Sequence, residues 1–595
     1  MQEGCRRQWC LQLLLLLLFH HSIGVMVVTA QQTPPHIIFI VADDLGWNDI
    51  GFHGSLQVQT PNIDALAYSG VILNNYYVHP ICTPSRSAIM SGLHPIHTGL
   101  NHGTIGGAQP YGLPLNITTL PQHLRGLGYS AHHVGKWHLG FYKKEFTPTY
   151  RGFESHLGYW SGRVDYYDHT ADEADERWGY DFRRNMDVAH DAYGEYATDI
   201  FTREAVEKIN SHNSSTPLFL YLAHLAVHSA NLYAPLQAPE ETVKKFNYIQ
   251  DEDRRIFAGM LSKLDDSVGE VMQALDQKGM LDNSIIIFTT DNGGPAAGFN
   301  SNAASNWPLR GVKATLWEGG VRGAGFVWSP IITQSPGVVS DKLMCIDDWL
   351  PSLYAAAGGN TSSLPPMDGV NMWPTISSGA ASARTQLLHN IDPVFNGTAL
   401  RMGDWKLLNN GSAYEVHWDR WFGPSSRNCS PPECLELPEL VTNIRQSPAG
   451  IIILERDADA LNNLEHSRQQ AMVNCSTTPS VPRFFCRSSH HCLFHIPTDP
   501  CELTDLSSEH PDIVLQMLKL LNEYKKSAVP IANQPDDPRA DPKYWDYNWN
   551  NWLDYPPPAG VNFTEDTSDR HKKGEAPYKK LFDFFKPRTG KPVCD

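Results

Sequence analysis

Beyond its first thirty residues, the chain has no uninterrupted apolar run long enough to cross a bilayer. It also has no excess of basic residues, since 47 lysines and arginines face 64 aspartates and glutamates, for a formal net charge of −17. This balance argues against a nucleic-acid partner and against stable membrane insertion through a polybasic surface. Internal repeats and collagen-like or disordered composition are absent as well. An anionic ligand would therefore need a local cluster of cations, because the overall field repels it.

The amino-terminal segment differs from the rest of the chain. Two arginines precede an apolar run from Leu11 to Phe19, and small residues at 28–30 offer a cleavage site. This pattern predicts a signal peptide over residues 1–30. A membrane anchor is the alternative, but His20 and His21 interrupt the run, which is short for a span. We therefore expect a protein of the secretory pathway, either lysosomal or secreted.

Glycosylation sequences fit that compartment, although they also occur by chance. Eight N-x-S/T sequences are present. They begin at Asn116, Asn213, Asn360, Asn396, Asn410, Asn428, Asn474 and Asn562.

Cysteines are scarce until the last third of the chain. Between residues 31 and 428 there are two, Cys82 and Cys345. Cys345, in an apolar stretch predicted to be helical, is interpreted as a free buried thiol, although it could also pair with one of the cysteines that follow. The others are expected to form disulfides in an oxidising compartment, with undetermined connectivity. A zinc cluster is the alternative, but the spacing matches no zinc pattern well. These cysteines are Cys429, Cys434, Cys475, Cys486, Cys492, Cys501 and Cys594.

Three continuous apolar runs predict strands that are buried on both faces. They cover 36–42, 217–223 and 284–289, and an amphipathic helical pattern covers 255–275. Strands alternating with helices predict an α/β fold, with a large, mostly parallel sheet and helices on both of its faces. Ligands of such sheets bind beyond the carboxyl ends of the strands. Polar clusters follow all three strands, so we expect one site there.

The chain exceeds the usual size of a single core, so we expect a large domain and a smaller one. The large α/β domain is predicted over residues 31–380. After Gly379 the pattern changes to short strand-like pieces, such as 400–408, and an amphipathic helix over 511–526. This predicts a smaller α+β domain over 381–548. A partly disordered tail is predicted over 549–595.

Hard oxygen ligands follow two of the predicted strands. Asp43 and Asp44 end the first, and Asp291 and Asn292 end another. Oxygen-only ligation suits calcium or magnesium. Each acidic pair alone could equally be a solvated turn or a helix cap. Two pairs at matching strand ends indicate a shared site, and the neutral Asn292 favours one divalent cation over two.

The segment Cys82-Thr83-Pro84-Ser85-Arg86 is one helical turn long. Cys82 and Arg86 would then share a face at a helix amino terminus, where the dipole and free N–H groups favour an anionic oxygen. The alternatives are an ordinary cysteine with a lowered thiol pKa and a surface arginine.

Two further segments carry cations and an imidazole. Lys136 and His138, in 135–140, would face the same side of an extended chain. A histidine packed in the core is an equally good interpretation of His138. Lys313 lies in a glycine-flanked loop, where a lysine is usually solvated.

Taken together, these motifs resemble the type I sulfatases of the alkaline phosphatase superfamily, and within them the arylsulfatase B, I and J group. The resemblance extends from His36 to about Trp545. It is carried by Asp43-Asp44, Cys82-Thr83-Pro84-Ser85-Arg86, Gly135-Lys136-Trp137-His138, Arg151-Gly152-Phe153, Asp291-Asn292-Gly293-Gly294, Trp307-Pro308-Leu309-Arg310-Gly311 and Leu388-His389-Asn390-Ile391-Asp392-Pro393. It implies that residues 31–380 form the catalytic domain.

The resemblance implies that a formylglycine-generating enzyme oxidises Cys82 to Cα-formylglycine during synthesis. One hydroxyl of the hydrated aldehyde would attack sulfur, and the other would expel the sulfate. The implied ligands of a single Ca²⁺ are Asp43, Asp44, Cys82 in its modified form, Asp291 and Asn292. Residues implied to hold the hydrate are Arg86, Lys136 and His138, and those implied to bind sulfate are Lys136, His228 and Lys313.

The resemblance also implies how protons move. Asp291 would take the proton of the attacking hydroxyl, and His228 would protonate the departing alcohol. His138 would take the proton of the second hydroxyl. The implied substrates are aryl sulfates and sulfated amino sugars of glycosaminoglycans, of the N-acetylgalactosamine 4-sulfate type.

The chain departs from the family pattern in two places. Extra residues separate His228 from Pro235, which weakens the choice of His228 over His224. No cysteine lies near the 162–167 segment, where the related group has cysteines. Trp160, Asp165 and Tyr166 either line the pocket rim or pack the fold.

Two other functions remain open at this stage. One is a phosphodiesterase or phosphonate hydrolase of the same superfamily. A cysteine nucleophile and a single-metal ligand set containing Asn292 count against its usual two-zinc form. The other is a non-catalytic glycan-binding protein with unmodified Cys82.

Overall fold

A mixed ten-stranded sheet forms the centre of the protein. The computed structural model describes residues 33–173, 177–412, 416–423, 434–475, 484, 486–487 and 490–557. The described residues from Pro35 onward belong to one compact unit. The strand order in the sheet is β13-β2-β12-β11-β1-β10-β4-β5-β8-β9. The strands of the described chain are β1 (His36–Ala42), β2 (Val71–Leu73), β3 (Tyr76–Tyr77), β4 (Ser130–Lys136), β5 (Ser155–Tyr159), β6 (Thr170–Glu173), β7 (Arg177–Tyr180), β8 (Arg183–Arg184), β9 (Asp187–Val188), β10 (Leu218–Ala223), β11 (Ser284–Thr290), β12 (Gly325–Trp328), β13 (Val338–Ser340), β14 (Met344–Cys345), β15 (Gln386–Asp392), β16 (Gly397–Met402), β17 (Trp405–Asn409) and β18 (Cys492–His495).

Helices cover this sheet. Every residue of β1, β10 and β11 is buried, which requires packing on both faces. The helices of the described chain are α1 (Pro61–Ser69), α2 (Cys82–Ser91), α3 (Pro95–Thr98), α4 (Leu120–Gly126), α5 (Ala197–Ser211), α6 (Glu240–Lys244), α7 (Glu252–Gln277), α8 (Glu318–Val321), α9 (Trp349–Ala356), α10 (Trp373–Ser378), α11 (Leu437–Gln446), α12 (Pro448–Arg456), α13 (Leu464–Ala471) and α14 (Pro511–Ser527).

The predicted strands and the long helix are confirmed, and no end differs from its prediction by more than three residues. Strands β11, β1, β10, β4 and β5 form a parallel block, with Ile37 paired to both Ile285 and Phe219. The amphipathic helix is α7, which begins where the Asp251 side chain accepts a hydrogen bond from the backbone N–H of Arg254. The α/β class and the mostly parallel centre are therefore confirmed, with antiparallel strands at the sheet edges.

A separate antiparallel sheet, β15-β16-β17-β18, lies in the carboxyl-terminal part. Together with α14 it has its own small apolar core. The predicted strand-like piece 400–408 is wrong as one element. It contains parts of β16 and β17, which are joined by a two-residue turn at 403–404. The division into domains at residue 380 stays a prediction.

The cysteines are only partly paired in the described chain. Disulfides join Cys475 to Cys501 and Cys486 to Cys492. Cys345 and Cys434 are buried free thiols, and Cys429 and Cys594 lie outside the described residues. The helical prediction for Cys345 is wrong, because it lies in the short strand β14. Its apolar surroundings are those of a buried strand, which a short sequence window does not distinguish from a buried helix.

The predicted leader over 1–30 lies outside the described residues, as do Asn428 and Asn562. Of the six described glycosylation sequences, five begin at an exposed asparagine and Asn410 is half-buried. No described helix is both long and apolar enough to cross a membrane. The predicted tail begins with Trp549 and Trp552, which are buried in the main core, and residues 558–595 lie outside the described chain.

Candidate active site

The predicted site residues meet at the carboxyl ends of adjacent parallel strands. Asp43 follows β1, Asp291 follows β11, and Lys136 is the last residue of β4. The carboxyl ends of these strands lie at the same edge of the sheet. Ala42 of β1 pairs with Thr290 of β11, and Ala223 of the intervening strand β10 pairs with Gly135 of β4. The parallel strands thus bring residues that are far apart in the sequence together at one edge of the sheet.

Two cations surround Asp43. Lys136 donates a hydrogen bond from Nζ to Asp43 Oδ2 at 2.5 Å, and Arg86 Nη2 lies 3.6 Å from the same oxygen. All three side chains are buried. Gly135, the residue before Lys136, allows β4 to lie close to β10, since a Cβ at this glycine would lie 1.8 Å from the carbonyl oxygen of Ala223.

Asp44 is the second carboxylate of the cluster. Lys313 Nζ lies 2.6 Å from Oδ1 and 2.8 Å from Oδ2 of Asp44, and the Asn292 amide donates to Oδ1 at 2.7 Å. His228 Nε2 lies 3.5 Å from Asp44 Oδ2. Lys313 is therefore buried and paired, and the solvated alternative for it is wrong.

Asp291 pairs with Arg86. The guanidinium donates from Nε at 3.0 Å and from Nη2 at 2.8 Å, both to Asp291 Oδ2. Burial and the neighbouring charge of Asp43 raise the pKa of the Asp291 carboxyl, while Arg86 and Lys136 oppose the rise. Arg86 is buried, so its interpretation as a surface arginine is wrong.

Cys82 is the first residue of helix α2, which ends at Ser91 and is capped by Gly92. Its Sγ lies 3.7 Å from Asp43 Oδ1 and donates to it. Burial raises the pKa of the Cys82 thiol to about 12, against the opposing influence of Lys136 and Lys313. Burial therefore favours the neutral thiol, which makes an unmodified Cys82 a poor nucleophile at neutral pH.

Backbone contacts orient His138. Its Nε2 donates to the carbonyl oxygen of Ile105 at 3.1 Å, and its buried Nδ1 has no hydrogen-bond partner. The Thr83 hydroxyl, which donates to the His138 carbonyl, also accepts from the Ile105 N–H. Burial, helped by Lys136 and Arg86, holds the pKa of His138 well below its usual value. The neutral imidazole thus has a free basic nitrogen at Nδ1.

Two additional contacts hold His138 in place. His138 has a φ of 58°, a left-handed conformation that is uncommon outside glycine. Gly162 packs against its ring, because a Cβ at this glycine would lie 2.9 Å from Cε1 and Nε2. The extended segment predicted for 136–138 ends at Lys136, so tertiary contacts and not strand alternation bring Lys136 and His138 to the same site.

His228 and His224 have different surroundings. His228 Nδ1 donates to the carbonyl oxygen of Ser229 at 2.6 Å, and its own carbonyl accepts from the Tyr166 hydroxyl at 3.0 Å. Burial, Lys313 and Lys136 hold the pKa of His228 well below its usual value. His224 instead faces helix α7, with Nε2 3.2 Å from the Ser267 hydroxyl. The geometry therefore places His228, and not His224, beside the acidic cluster.

The residues between His228 and Pro235 form a short loop, in which Ala230 N–H donates to the Pro235 carbonyl at 2.9 Å. Tyr233 from this loop donates to Asp165 Oδ2 at 2.9 Å. Asp165 therefore packs and anchors the insertion. Trp160 is buried and also supports the fold, since its carbonyl accepts from His138 N–H at 3.2 Å.

The donor set fits a hard divalent cation. Ligand atoms of Asp43, Asp44, Cys82 and His228 lie within 4.8 Å of one another. Asn292 Oδ1 is buried and has no hydrogen-bond partner, as expected of an amide oxygen reserved for a ligand. Carboxylate and amide oxygens are the ligands that calcium prefers. Three carboxylates already face three cations, so a bound divalent cation would make the site net positive and attractive to an anion.

Sequence reasoning missed Thr83, Ile105, Gly162 and the supporting role of Tyr166. Thr83 occupies the variable position of its motif, and Ile105 acts through its backbone carbonyl. Threonine, isoleucine and glycine are common throughout any chain, so their presence at these positions does not indicate a site. Only their distances to His138 and His228 identify them.

This architecture and this site are those of a sulfatase. The profile of the sulfatase family matches residues 35–359, and the chain belongs to that family. The chain is 41% identical to mouse arylsulfatase J over 533 residues, covering 88% of this chain and 81% of the relative. Human N-acetylgalactosamine-6-sulfatase is 30% identical over 383 residues, covering 61% and 70% respectively. Among solved structures, Ps i-CgsB superposes with a TM-score of 0.63 at 24% identity, over 92% of this chain and all of that one, which supports the fold.

Proposed function

We propose that this sulfatase uses a formylglycine formed from Cys82, together with one Ca²⁺, to hydrolyse sulfate esters. The observation that carries the proposal is the position of Cys82 Sγ beside Asp43, at the start of a helix and among buried oxygen ligands. The ligands would be Asp43, Asp44, Asp291, Asn292 and the modified residue 82. Once formed, the hydrated aldehyde would supply the nucleophile, and the cation would polarise the sulfate oxygens.

The chain's cations would bind and orient the ester. Lys136 and Lys313, which are buried beside Asp43 and Asp44, would hold sulfate oxygens and stabilise the charge that develops on them. Arg86 would orient the side chain at position 82 while it stays paired with Asp291. Because these groups are already held by hydrogen bonds, little reorganisation accompanies the reaction.

Protons would move through three groups. Asp291, whose pKa is raised by burial, is suited to accept a proton from the side chain at position 82. His228 would donate from Nε2 to the departing ester oxygen. The positive field of Lys313 and Lys136 disfavours its protonation, and an anionic ester bound to these lysines would relieve that effect. His138 would accept a proton at its unpartnered Nδ1 when sulfate leaves.

Sulfated amino sugars of glycosaminoglycans, of the N-acetylgalactosamine 4-sulfate type, are the proposed substrates. The support is the 41% identity to arylsulfatase J and the 30% identity to N-acetylgalactosamine-6-sulfatase. Aryl sulfates would serve as reporter substrates. The proposed route is the secretory pathway to the lysosome or the cell exterior, with a formylglycine-generating enzyme as the partner during synthesis.

Mass spectrometry of the peptide containing residue 82, combined with sulfate release, tests the proposal. The protein is expressed with a formylglycine-generating enzyme, and sulfate and phosphate release from matched aryl esters are measured with and without Ca²⁺. We expect formylglycine at position 82 and Ca²⁺-dependent sulfate release, and no activity in Cys82→Ala. An alkylatable thiol at position 82, or modified protein that releases only phosphate, would refute the proposal.

A further inference from the structure

A lysine and two glutamates meet where the small antiparallel sheet packs against the start of helix α8. Lys406, on strand β17, places its Nζ 2.9 Å from Glu318 Oε1 and 2.8 Å from Glu502 Oε1. Glu502 Oε2 also accepts a hydrogen bond from the Glu318 backbone N–H at 2.8 Å. All three side chains are fully buried. Because buried ion pairs add little net stability, such a cluster is weak evidence for a purely stabilising role.

Glu318 is the centre of this cluster. Its Oε2 accepts from the Tyr77 hydroxyl at 2.9 Å and lies 3.7 Å from Arg322 Nη1. Arg401, on strand β16, donates to the same hydroxyl. Burial raises the pKa of Glu318, but the neighbouring lysine and two arginines outweigh this effect and hold that pKa below its usual value. Glu318 is therefore ionised at neutral pH, with Lys406 in direct contact.

Glu318 stands at the base of the loop that carries Lys313. It is the first residue of α8, and the N–H of the next residue, Gly319, donates to the Arg310 carbonyl at 2.6 Å. A Cβ at Gly319 would lie 2.4 Å from the carbonyl oxygen of Gly311. The two ends of the segment 310–319 are thus in contact, and Lys313 lies on the closed loop between them.

The small sheet also holds this loop through backbone groups. The Leu316 N–H donates to the carbonyl of Gly411, which lies two residues beyond β17, at 2.8 Å. Arg310 Nη1 donates to the Glu502 carbonyl at 3.2 Å. The segments that carry Lys406 and Glu502 therefore contact the loop as well as the Glu318 side chain.

The opposite side of the loop faces the active site. The Lys313 N–H donates to the Gly294 carbonyl at 3.1 Å, two residues beyond Asn292. The Ala314 N–H donates to the Pro80 carbonyl at 2.7 Å, two residues before Cys82. The loop is therefore held between the small sheet and the catalytic centre, so that a shift of its base would displace the Lys313 side chain.

We propose that Lys406 is a positioning residue for Lys313, and that it acts by holding Glu318 at the base of the 310–319 loop. This inference rests on the proposed sulfatase function, in which Lys313 binds sulfate oxygens. Lys406 touches neither the substrate nor the metal ligands. Through it the small sheet sets the position of a cation in the active site of the large sheet, and a small displacement of such a group is sufficient to lower the rate.

Lys406→Met tests the assignment, because methionine has a similar length and no charge. Rates are expressed per mole of folded protein that carries formylglycine at position 82. We expect kcat/KM for 4-methylumbelliferyl sulfate to fall about ten-fold or more, and the inhibition constant of inorganic sulfate to rise about five-fold or more, since a displaced Lys313 would bind sulfate oxygens less well. An unchanged inhibition constant for sulfate would overturn the proposal, even if kcat fell.

A double-mutant cycle separates positioning from a general loosening of the fold. Lys313→Met alone should lower kcat/KM about one hundred-fold or more. In that background the addition of Lys406→Met should change kcat/KM by less than about three-fold, because residues that act through one another are not additive. Equal falls in the two backgrounds would overturn the proposal, since independent effects multiply.

Arg384→Met is the matched control. The Arg384 side chain is also largely buried and paired with a buried carboxylate, with Nε 2.8 Å from Asp348 Oδ2. It lies two residues before β15 of the same sheet, and its other hydrogen bonds go to the carbonyls of Asp368 and Gln386, outside the loop. Both kcat/KM and the sulfate inhibition constant should stay within about two-fold of wild type. A loss equal to that of Lys406→Met would attribute the effect to any broken buried pair and would overturn the proposal.

Glu502→Gln supplies the test if Lys406→Met does not fold, because it keeps the shape of the side chain and removes one of the two charges beside Lys406. We expect kcat/KM to fall about three-fold, and to stay unchanged when the substitution is added to Lys313→Met. Equal falls in both backgrounds would overturn the proposal. Absence of any aryl sulfate hydrolysis by wild-type protein carrying formylglycine would instead refute the proposed function, and the role of Lys406 with it.

Discussion

The guanidinium of Arg86 donates two hydrogen bonds to a single carboxylate oxygen of Asp291, Oδ2, leaving Oδ1 to accept from the Asp44 backbone N–H at 3.3 Å. The helix that carries Cys82 is thereby joined to the end of β11. This pair of side chains therefore links the Cys82 helix, the acidic cluster and the central sheet. The stability of the protein and the integrity of the site are therefore coupled through this pair.

Asp291→Asn should be strongly destabilising, because it leaves a buried guanidinium with Asp43 as its nearest carboxylate. Breaking a buried ion pair costs about 3–5 kcal/mol. Urea unfolding in a calcium chelator would measure this cost without a contribution from metal binding. Asp282→Asn, which removes an exposed partner of Arg456, should change the free energy of unfolding by less than about 1 kcal/mol. Equal losses of unfolding free energy in the two variants would contradict the conclusion that the buried Arg86–Asp291 pair stabilises the protein.

Gly162→Ala should displace His138, because the added methyl group would lie 2.9 Å from the imidazole. We expect kcat for aryl sulfate hydrolysis to fall at least ten-fold, with a smaller change in KM, since a displacement of a proton-transfer group by a fraction of an ångström is sufficient. Gly126→Ala is the control, because a Cβ at that helical glycine would meet no atom within 4 Å. Full activity of Gly162→Ala would show that His138 tolerates displacement.

His224→Gln should change the pH dependence of stability while preserving activity. Burial lowers the pKa of His224 to about 3, so the folded protein keeps this imidazole neutral, whereas the unfolded chain protonates it near pH 6.5. The stability contribution is therefore complete above pH 6.5 and is lost as the pH falls toward 3. Below pH 6 the wild type should lose about 1.4 kcal/mol per pH unit relative to the variant.

Unfolding of both proteins between pH 7 and 4.5 measures that difference, and parallel pH profiles would contradict it. Sulfate release provides the comparison with His228. His224→Gln should stay within about three-fold of wild type, whereas His228→Gln should fall by a factor of about one hundred or more. The reverse result would transfer the proposed role to His224.

Asn292→Ala should weaken the binding of calcium, because it removes the amide oxygen that has no protein partner. The increase in melting temperature produced by calcium reports the affinity, since a ligand that binds only the folded state stabilises it by mass action. We expect the calcium concentration for half of the maximal increase to rise at least ten-fold. In chelator alone the variant should melt below wild type, because it also loses the buried hydrogen bond from the Asn292 amide to Asp44, so the calcium-induced increase is compared within each protein. An identical calcium titration would remove Asn292 from the ligand set.

Sequence patterns located the acidic cluster because its strands are short, apolar and buried throughout. The run at 36–42 is β1 without any shift, and the run at 284–289 differs from β11 by one residue. The polar residues that follow each strand indicated the site, since parallel strands place their carboxyl ends at one edge of the sheet. Cys345 shows where this reasoning fails, because an apolar environment is common to buried helices and strands.

The residues that orient the histidines were invisible to sequence reasoning for a different reason. The Thr83 hydroxyl donates to the backbone carbonyl of His138, Ile105 accepts from the His138 ring through its own backbone carbonyl, and Gly162 acts by its lack of a side chain. Such contacts depend on distances between segments that are far apart in the chain.

The amino-acid sequence by itself predicted the main strands and the long helix, and it singled out Cys82 and the oxygen ligands on which the proposed function rests, because apolar periodicity and short chemical motifs are local properties. Tertiary structure decided which histidine lies beside the acidic cluster, His228, and which faces helix α7, His224, and it decided the burial that shifts the pKa values of the site. Burial and long-range contacts set those properties, and neither exists until the strands align and the small sheet packs beside the large one.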